Sequence, residues 1–305
     1  MRNAFVQALT EAATRDPRIM LLTADLGYKI FDDFARRFPT RFMNVGIAEA
    51  NMAGVAAGLS IEGRKPFIYS IAPFATLRNY EQIRNDICYH QADVTVVGVG
   101  GGYSYGPNGP THHALEDIGA MRMLPHMTVV CPGDPAETAA AVHAIAAHRG
   151  PCYLRLGRAG EPVVHKALPS IRLGEGLRLR EGSDVALLSS GNMLATAVAT
   201  ADLLAARGIQ SRVVSMHTVK PLDVSEVLAA ARETRLVATL EEHFLAGGFG
   251  SAVAEMLADL DVPARLRRFG AADRFAHLAG DQAYHREANG LMPSQLASAI
   301  EKAMS

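Results

Sequence analysis

The sequence is poor in the residues that mark disulfide-linked or zinc-binding domains. Its 305 residues include no tryptophan and only three cysteines, Cys88, Cys131 and Cys152. The cysteines are odd in number, far apart and without the spacing of zinc ligands, so neither a disulfide framework nor a zinc site is predicted. Buried thiols in a reducing compartment are the simplest explanation, and we therefore expect a cytoplasmic protein.

The sequence also has no large excess of positive or negative charge and no long apolar segment. The formal net charge is −1, which gives no general attraction to nucleic acids or anionic membranes. No segment approaches the ~18 apolar residues of a membrane span. Gln7, Thr10 and Glu11 interrupt the apolar residues near the amino terminus, so no signal peptide is predicted. We expect neither nucleic acid nor a membrane as a partner.

The chain does contain a regular alternation of short apolar runs and helical patterns. This alternation indicates parallel sheets covered by helices on both faces, and the length suggests about two domains. We predict an α/β fold of two tandem domains, each a mainly parallel sheet flanked by helices. The domains are predicted at residues 1–160 and 184–305, joined by a linker at 161–183 that is rich in glycine, proline and charge.

The predicted elements follow from these patterns. In the first domain, strands are predicted at residues 19–23, 42–45, 65–70, 93–99, 127–131 and 152–156, and helices at 2–15, 31–37, 75–89, 115–122 and 134–148. In the second, strands are predicted at 184–189, 211–216, 235–240 and 264–269, and helices at 193–207, 223–233, 248–259 and 294–303.

Residues 44–58 form the most unusual segment of the first domain. A short apolar run turns at Gly46 into a series of small residues whose only acid is Glu49. Glycines there allow backbones to approach each other closely. Glu49 has two interpretations: it complements the positive end of a helix, or it is a carboxylate held in a dry interface to exchange a proton. The local sequence does not separate them.

Several segments with polar or glycine residues follow predicted strands directly. Asp25, Gly46, residues 70–74 and the loop at 100–113 all occupy such positions. Ligands of parallel α/β sheets bind beyond the carboxyl ends of the strands. We therefore expect these four segments to share one rim.

The glycine-rich loop at residues 100–113 ends in a histidine pair before a predicted helix. It is not a P-loop, because no Gly-Lys-Ser/Thr follows it, and its spacing does not match a dinucleotide fingerprint. His112 is a candidate for contacting ligand oxygens. The alternative is a histidine at a helix entry that bonds only to backbone.

Two further patterns are ambiguous when taken alone. Phe74, Leu77 and Tyr80 lie three residues apart on a predicted helix, a spacing that is most often core packing. Arg158 follows the last strand of the first domain, where an arginine can bind a phosphate or carboxylate through two hydrogen bonds. A surface salt bridge is the alternative for Arg158.

Taken in order, five motifs resemble the C-terminal half of transketolase. They are Gly46-Ile-Ala-Glu49, Gly109-Pro-Thr-His112, Leu154-Arg-Leu-Gly-Arg158, Lys220-Pro-Leu-Asp223, and Glu241-Glu-His243 followed by Gly247-Gly-Phe-Gly250. Each motif is weak, but their order and spacing over nearly the whole chain are specific. The resemblance implies a pyrimidine-binding domain followed by the transketolase C-terminal domain. It also implies a thiamine-diphosphate enzyme that moves a two-carbon ketol unit from a ketose to an aldehyde.

The resemblance implies roles at the cofactor. Glu49 matches the glutamate that hydrogen-bonds ring nitrogen N1′ of the aminopyrimidine and so promotes loss of the thiazolium C2 proton. Phe74, and more loosely Leu77 and Tyr80, match residues that wall the pyrimidine ring. Asp25 matches an aspartate near the cofactor and the dimer contact.

It also implies roles at the substrate, which would be a sugar or sugar phosphate. His112 matches a histidine that contacts substrate oxygens. Arg158 and Arg2 match arginines that bind the phosphate of the acceptor.

The chain lacks the Gly-Asp-Gly…Asn motif that binds Mg²⁺ and the diphosphate, and in this family that motif belongs to the N-terminal half. The length of 305 residues fits a form in which the two halves are separate chains. The resemblance therefore implies no metal ligands here and an N-terminal transketolase subunit as partner. We expect an α2β2 heterotetramer built on a dimer of this chain, inactive without its partner.

The sequence departs from the sugar-phosphate pattern in the glycine-rich loop. Transketolases usually place an acid before Gly-Pro-Thr-His and a histidine about eight residues upstream of that acid, where this chain has Asn108 and Gly100. Tyr103 and Tyr105 add bulk and hydroxyl groups to the same loop. We expect an altered acceptor, less dependent on a phosphate or differently shaped than pentose phosphates.

Three alternatives remain from the sequence. The chain could be the β subunit of a 2-oxoacid dehydrogenase E1 component, a 1-deoxyxylulose-5-phosphate-synthase-like enzyme, or a non-catalytic homologue. Intact Glu49 and His112 argue against the last of these.

Overall fold

A computed structural model describes the whole chain, Met1–Ser305, as two successive sheets with helices packed around each. The first half contains strands β1 (Ile19–Thr23), β2 (Phe42–Asn44), β3 (Lys65–Ile71), β4 (Thr95–Val99), β5 (Thr128–Val130) and β6 (Cys152–Leu156). Its helices are α1 (Arg2–Arg15), α2 (Asp32–Arg37), α3 (Glu49–Ile61), α4 (Ala72–Thr76), α5 (Tyr80–Gln82), α6 (Asp117–Met123) and α7 (Pro135–Ala147), with a π-helical turn at Ile83–Cys88 and a 3-10 turn at Gly106–Asn108.

The second half repeats the alternation. Its strands are β7 (Leu177–Arg180), β8 (Val185–Ser189), β9 (Ser211–Ser215), β10 (Thr218–Lys220), β11 (Leu236–Phe244) and β12 (Leu266–Ala271). Its helices are α8 (Leu194–Ala205), α9 (Val224–Glu233), α10 (Phe249–Asp259), α11 (Gln282–Ala288) and α12 (Pro293–Met304), with a 3-10 turn at Gly191–Met193.

Both sheets are mainly parallel. The first has the order β10-β5-β6-β4-β3-β1-β2 and is parallel apart from β10. The second has the order β12-β11-β8-β9-β7 and is parallel apart from β7. Because helices cover both faces, the inner strands are buried along their whole length rather than at alternate residues. The predicted fold class is confirmed.

Two features differ from the sequence expectations. The segment expected to be a linker at 161–183 contributes β7, which pairs antiparallel with β9. Strand β10 crosses from the second half to the edge of the first sheet, where it pairs with β5. These short strands satisfy backbone hydrogen-bond donors and acceptors at the sheet edges. Their sequences are too short to show a strand pattern, so they could not be predicted locally.

The helix predicted at 75–89 is also interrupted. It begins earlier, at Ala72, breaks between Thr76 and Tyr80, and continues into the π-helical turn. Phe74, Leu77 and Tyr80 therefore do not form the face of one continuous helix, and the break is what brings residues 77–79 to the rim of the sheet.

The two halves share an apolar core and a buried polar joint. One cluster of 34 buried residues includes Ile118 of the first half and Phe249 of the second. In the joint, the Asp134 carboxylate accepts hydrogen bonds from the backbone of His165 at 2.8 Å and from its Nδ1 at 3.2 Å. Glu137, one turn further along α7, accepts from Ser215 Oγ at 2.9 Å. The joint thus ties the first sheet, the connecting segment and the second sheet together.

His217, beside this joint, makes stability depend on pH. Burial, together with the neighbouring charge of His165, lowers the pKa of His217 from 6.5 to about 4. Between about pH 6.5 and pH 4, His217 is protonated in the unfolded chain but not in the folded chain. The free energy of unfolding therefore falls as the pH drops through this range. The expected contribution is about 2 kcal/mol between pH 7 and pH 5.

Urea unfolding at pH 7 and pH 5 tests this expectation. His217→Gln should lose about 2 kcal/mol less on acidification than the wild type, whereas His90→Gln, at an exposed position, should behave as the wild type does. Equal pH dependence of wild type and His217→Gln would contradict the prediction.

Candidate active site

Glu49 is the first residue of α3 and lies at the rim formed by the carboxyl ends of the first sheet. It is 2% exposed. Its Oε1 accepts a hydrogen bond from Ser70 Oγ at 3.1 Å, and its Oε2 accepts one from Arg78 Nη1 at 2.8 Å. The partners come from β3 and from the break after α4, and no N–H of α3 donates to the carboxylate. Its contacts are those of a buried acid positioned by other elements, not of a hydrogen-bonding helix cap.

Phe74 and His112 are connected to this carboxylate through Arg78. The Arg78 guanidinium carbon lies 4.3 Å from the centre of the Phe74 ring. The His112 ring meets the Phe74 ring edge-on, with 5.2 Å between the ring centres. Burial, with a smaller effect of His113, lowers the pKa of His112. At neutral pH the imidazole is uncharged and can both donate and accept hydrogen bonds.

Leu77 and Tyr80 flank this group differently. Leu77 is 44% exposed. Tyr80 packs against the shared apolar cluster, and its hydroxyl donates to the Ala120 carbonyl at 3.0 Å. Tyr80 therefore anchors α5 to the segment that follows the His112 loop.

Asp25 lies at the end of β1, in the left-handed region with φ of 53°. Its Oδ1 accepts from Asn44 Nδ2, and its backbone N–H donates to Asn44 Oδ1, both at 3.0 Å. The same Asn44 oxygen accepts from Gly46 N at 3.0 Å. Asn44 thus fixes the turn that leads to Glu49, a role the sequence alone did not reveal.

Arg2, Arg158 and Tyr105 form a second group at the same rim. Arg2 N donates to the Arg158 carbonyl at 3.1 Å, and the Arg158 guanidinium carbon lies 5.9 Å from the centre of the Tyr105 ring. Burial raises the pKa of Tyr105, opposed by the positive charges of Arg2 and Arg158. Asn108 is exposed, and its backbone N–H donates to the Tyr105 carbonyl at 2.8 Å. No hydrogen bond joins these residues to the Glu49 group.

The Tyr105 ring packs directly against Gly100. Gly100 has φ of 88°, a conformation that favours glycine, and a Cβ there would overlap the Tyr105 ring. The ring thus fills the space that a side chain at position 100 would need.

A buried ion pair, which was not predicted from the sequence, holds the end of the His112 loop. Arg155 Nε donates to Asp117 Oδ2 at 2.7 Å, and Nη2 donates to the carbonyls of Ala114 and Glu242 at 2.7 and 3.0 Å. Burial alone would lower the pKa of Arg155, but the charge of Asp117 outweighs it and raises that pKa. An arginine in the middle of the otherwise apolar run at 152–156 was the available signal.

Two motifs of the second half have structural roles. The Glu241 carboxylate accepts from Phe249 N at 2.7 Å and Gly250 N at 2.8 Å, so the turn before α10 is filled by the protein's own carboxylate. Asp223 caps α9 by accepting from Glu226 N at 2.9 Å, and it also accepts from Gly176 N at 2.7 Å.

The structure contains neither a cluster of metal-binding side chains nor a helix suited to a membrane. No group of three or more His, Cys, Asp or Glu side chains is arranged to hold a metal ion. No helix combines the length and apolar character needed to cross a bilayer.

Comparisons with known proteins place this chain in a family. The family described as "Transketolase, pyrimidine binding domain" matches residues 1–161, and "Transketolase, C-terminal domain" matches residues 174–289. The chain belongs to the transketolase family. The resemblance found in the sequence is thereby confirmed, and with it membership of a transferase family.

Individual relatives agree with this membership. The 6-deoxy-6-sulfo-D-fructose transketolase subunit of Clostridium sp. (strain MSTE9) is 40% identical, covering 99% of this chain and 94% of that protein. A solved structure described as a split gene transketolase, inactive beta4 tetramer, is 41% identical with a TM-score of 0.92, covering 99% of this chain and 97% of that chain. The 1-deoxy-D-xylulose-5-phosphate synthase of Heliobacterium modesticaldum is 37% identical over 96% of this chain but only 45% of its own length.

The family depends on thiamine diphosphate, and the Glu49 group suits an aminopyrimidine. Glu49 offers a carboxylate oxygen, Oε2, that is reached from the rim, while Ser70 holds the other oxygen from the buried side. Arg78, which binds that oxygen, also lies over the face of the Phe74 ring, so the carboxylate and the ring face flank the same guanidinium. A carboxylate and a ring face are the two contacts that a flat, hydrogen-bonding heterocycle requires.

Proposed function

We propose that this chain is the C-terminal subunit of a two-subunit transketolase-like enzyme, which transfers a two-carbon ketol unit from a ketose to an aldehyde. The observation that carries the proposal is the Glu49 carboxylate, which is buried at the ligand rim of the sheet and connected through Arg78 to the packed rings of Phe74 and His112. Residues 1–160 would form the pyrimidine-binding domain, and residues 184–305, with β7 of the preceding segment, the C-terminal domain. The three buried free cysteines support a cytoplasmic location.

The cofactor-binding residues would be Glu49, Phe74, Leu77, Tyr80 and Asp25. When bound, thiamine diphosphate supplies the electron sink that ketol transfer needs. Glu49 would hold a proton between Oε2 and the aminopyrimidine nitrogen, with Ser70 fixing the orientation of the carboxylate. Phe74 would stack on the heterocycle. Leu77 and Tyr80 would close its sides, and Asp25 would support the turn before Glu49.

The substrate-binding residues would be His112, Asn108, Arg158 and Arg2. His112, uncharged at neutral pH, would hydrogen-bond substrate oxygens. Arg158 and Arg2 would bind the charged end of the acceptor, since a guanidinium pairs well with a phosphate or another anion. Asn108 would contact the acceptor through its amide.

The partner would be an N-terminal transketolase subunit that carries the Mg²⁺ and diphosphate ligands, in an α2β2 heterotetramer built on a dimer of this chain. One observation supports this arrangement: a solved structure 41% identical to this chain is described as a split gene transketolase, inactive beta4 tetramer.

Reconstitution tests the function. The chain should be inactive alone and should transfer ketol units after co-purification with an N-terminal transketolase subunit, Mg²⁺ and thiamine diphosphate. Controls with 2-oxoacids and lipoamide, and with pyruvate and glyceraldehyde 3-phosphate, detect the two alternative reactions. Activity with either control pair but no ketol transfer would overturn the proposal.

An acceptor panel tests the altered specificity. Because Asn108 removes a charge and Tyr105 fills the space beside Gly100, we expect ribose 5-phosphate to be a poor acceptor compared with differently shaped aldehydes. Ordinary efficiency with xylulose 5-phosphate and ribose 5-phosphate would contradict the expectation.

Arg158→Met should raise KM for anionic acceptors about tenfold or more, because it removes a charge-assisted hydrogen bond. The variant should have little effect on KM for uncharged acceptors.

A further inference from the structure

Arg78 occupies a position that the family roles above do not explain. Its guanidinium binds Glu49 Oε2 at 2.8 Å and lies over the face of the Phe74 ring at 4.3 Å. The Glu49 side chain is 1% exposed, whereas the Arg78 side chain is 45% exposed. The arginine therefore reaches from solvent onto a buried carboxylate and an aromatic face.

The guanidinium resembles a bound aminopyrimidine in the contacts it makes. Both are flat groups that donate hydrogen bonds from nitrogen and stack on aromatic rings. Oε1 is held by the fully buried Ser70 hydroxyl, so a ligand that arrives at the rim meets Oε2, the oxygen that the partly exposed Arg78 holds. A heterocycle on Phe74 and the Arg78 guanidinium cannot occupy that face together.

We infer that Arg78 is an internal occupant of the aminopyrimidine site, which competes with the cofactor for Glu49 Oε2 and for the face of Phe74. The inference rests on the proposed function. In the unassembled chain Arg78 gives the buried carboxylate a charged partner. On cofactor binding the arginine swings into solvent, and Glu49 becomes free to accept the heterocycle.

The local structure permits this exchange. Arg78 lies in the break between Thr76 and Tyr80, outside regular helix, so its side chain is not packed within a helix face. The bond to Glu49 is the only hydrogen bond of its guanidinium to protein. Displacement therefore breaks one partly exposed ion pair and one cation–π contact, while the released guanidinium is hydrated.

The test is the dissociation constant of thiamine diphosphate for the complex of this chain with its N-terminal subunit and Mg²⁺, measured by calorimetry. Arg78→Ala and Arg78→Met should bind the cofactor roughly tenfold more tightly than the wild type, the effect expected from removing the two competing contacts. Arg84→Ala is the matched control, because Arg84 is exposed and its guanidinium bonds only to Asn85. That variant should bind as the wild type does.

A second measurement uses the isolated chain. Arg78→Ala should lower its thermal unfolding midpoint, because the buried carboxylate then keeps only Ser70 as a partner, and Arg84→Ala should not. Cofactor binding by Arg78→Ala that equals or falls below that of the wild type would overturn the inference.

A Glu49→Ala complex separates the two possible failures. If thiamine diphosphate binds the wild-type complex and binding weakens in Glu49→Ala, but Arg78→Ala does not tighten it, only the role of Arg78 is wrong. If the wild-type complex does not bind the cofactor, or if Glu49→Ala binds it equally well, both the proposed function and this inference are overturned.

Discussion

Glu49→Ala is expected to lower kcat of the reconstituted enzyme by about 10²–10⁴-fold, the range usual for loss of a positioned acid–base group. Glu49 lies at 2% exposure with its carboxylate held by Ser70 and Arg78. No other carboxylate contacts this group, so nothing nearby can substitute for it. Steady-state ketol transfer with the assembled complex measures the effect.

The control for this variant is Glu62→Ala. Glu62 is the residue after the last turn of α3 and is exposed, so its removal should leave both activity and stability unchanged. Glu49→Gln keeps the size of the side chain and should be impaired nearly as much as Glu49→Ala, since the amide is not a base. Activity of Glu49→Ala within a few-fold of the wild type would refute the cofactor role of Glu49.

Arg155→Met is expected to have the largest effect on stability, about 3–5 kcal/mol, because it leaves the Asp117 carboxylate buried without its cation. Asp117 is 1% exposed and also accepts a hydrogen bond from Tyr153 Oη at 2.5 Å. Because Arg155 binds the carbonyls of Ala114 and Glu242, the variant should also loosen the His112 loop. Chemical unfolding of the chain at pH 7 measures the loss.

Two further variants make the Arg155 prediction specific. Arg155→Met combined with Asp117→Leu should be less destabilised than Arg155→Met alone, because no unpaired charge remains buried. Arg36→Met breaks a surface pair whose arginine is 75% exposed, and should cost about 0.5 kcal/mol or less. A loss for Arg155→Met no greater than that for Arg36→Met would contradict the prediction.

Regular elements were the most predictable part of the structure. The strand at 152–156 was predicted with the bounds of β6, and α7 and α9 were predicted within one residue at each end. Such elements are encoded by apolar periodicity within short windows. The helix at 75–89 failed because its break and π-helical turn depend on packing against the rest of the rim, which no local period records.

The motifs were also readable from the sequence, but their contacts were not. Glu49, Phe74 and His112 were all singled out as candidates, yet Arg78, the residue that links Glu49 to Phe74, carried no signal of its own. Glu49 and Arg78 are 29 positions apart along the chain. Only the packing of α3 against the break after α4 brings them within hydrogen-bonding distance.

The sequence by itself determined the α/β class, the succession of two sheets, the family and the acid at the centre of the candidate site. Periodic patterns are encoded in short windows, and the order and spacing of motifs can be read along the chain without knowing any contact. The tertiary structure decided that Glu49 is paired with Arg78, that Tyr105 fills the space beside Gly100, and that Arg155 ties the His112 loop to the second sheet. These are contacts between residues up to 87 positions apart, as for Arg155 and Glu242. Long-range burial removes such side chains from water and selects their partners, which no local pattern specifies.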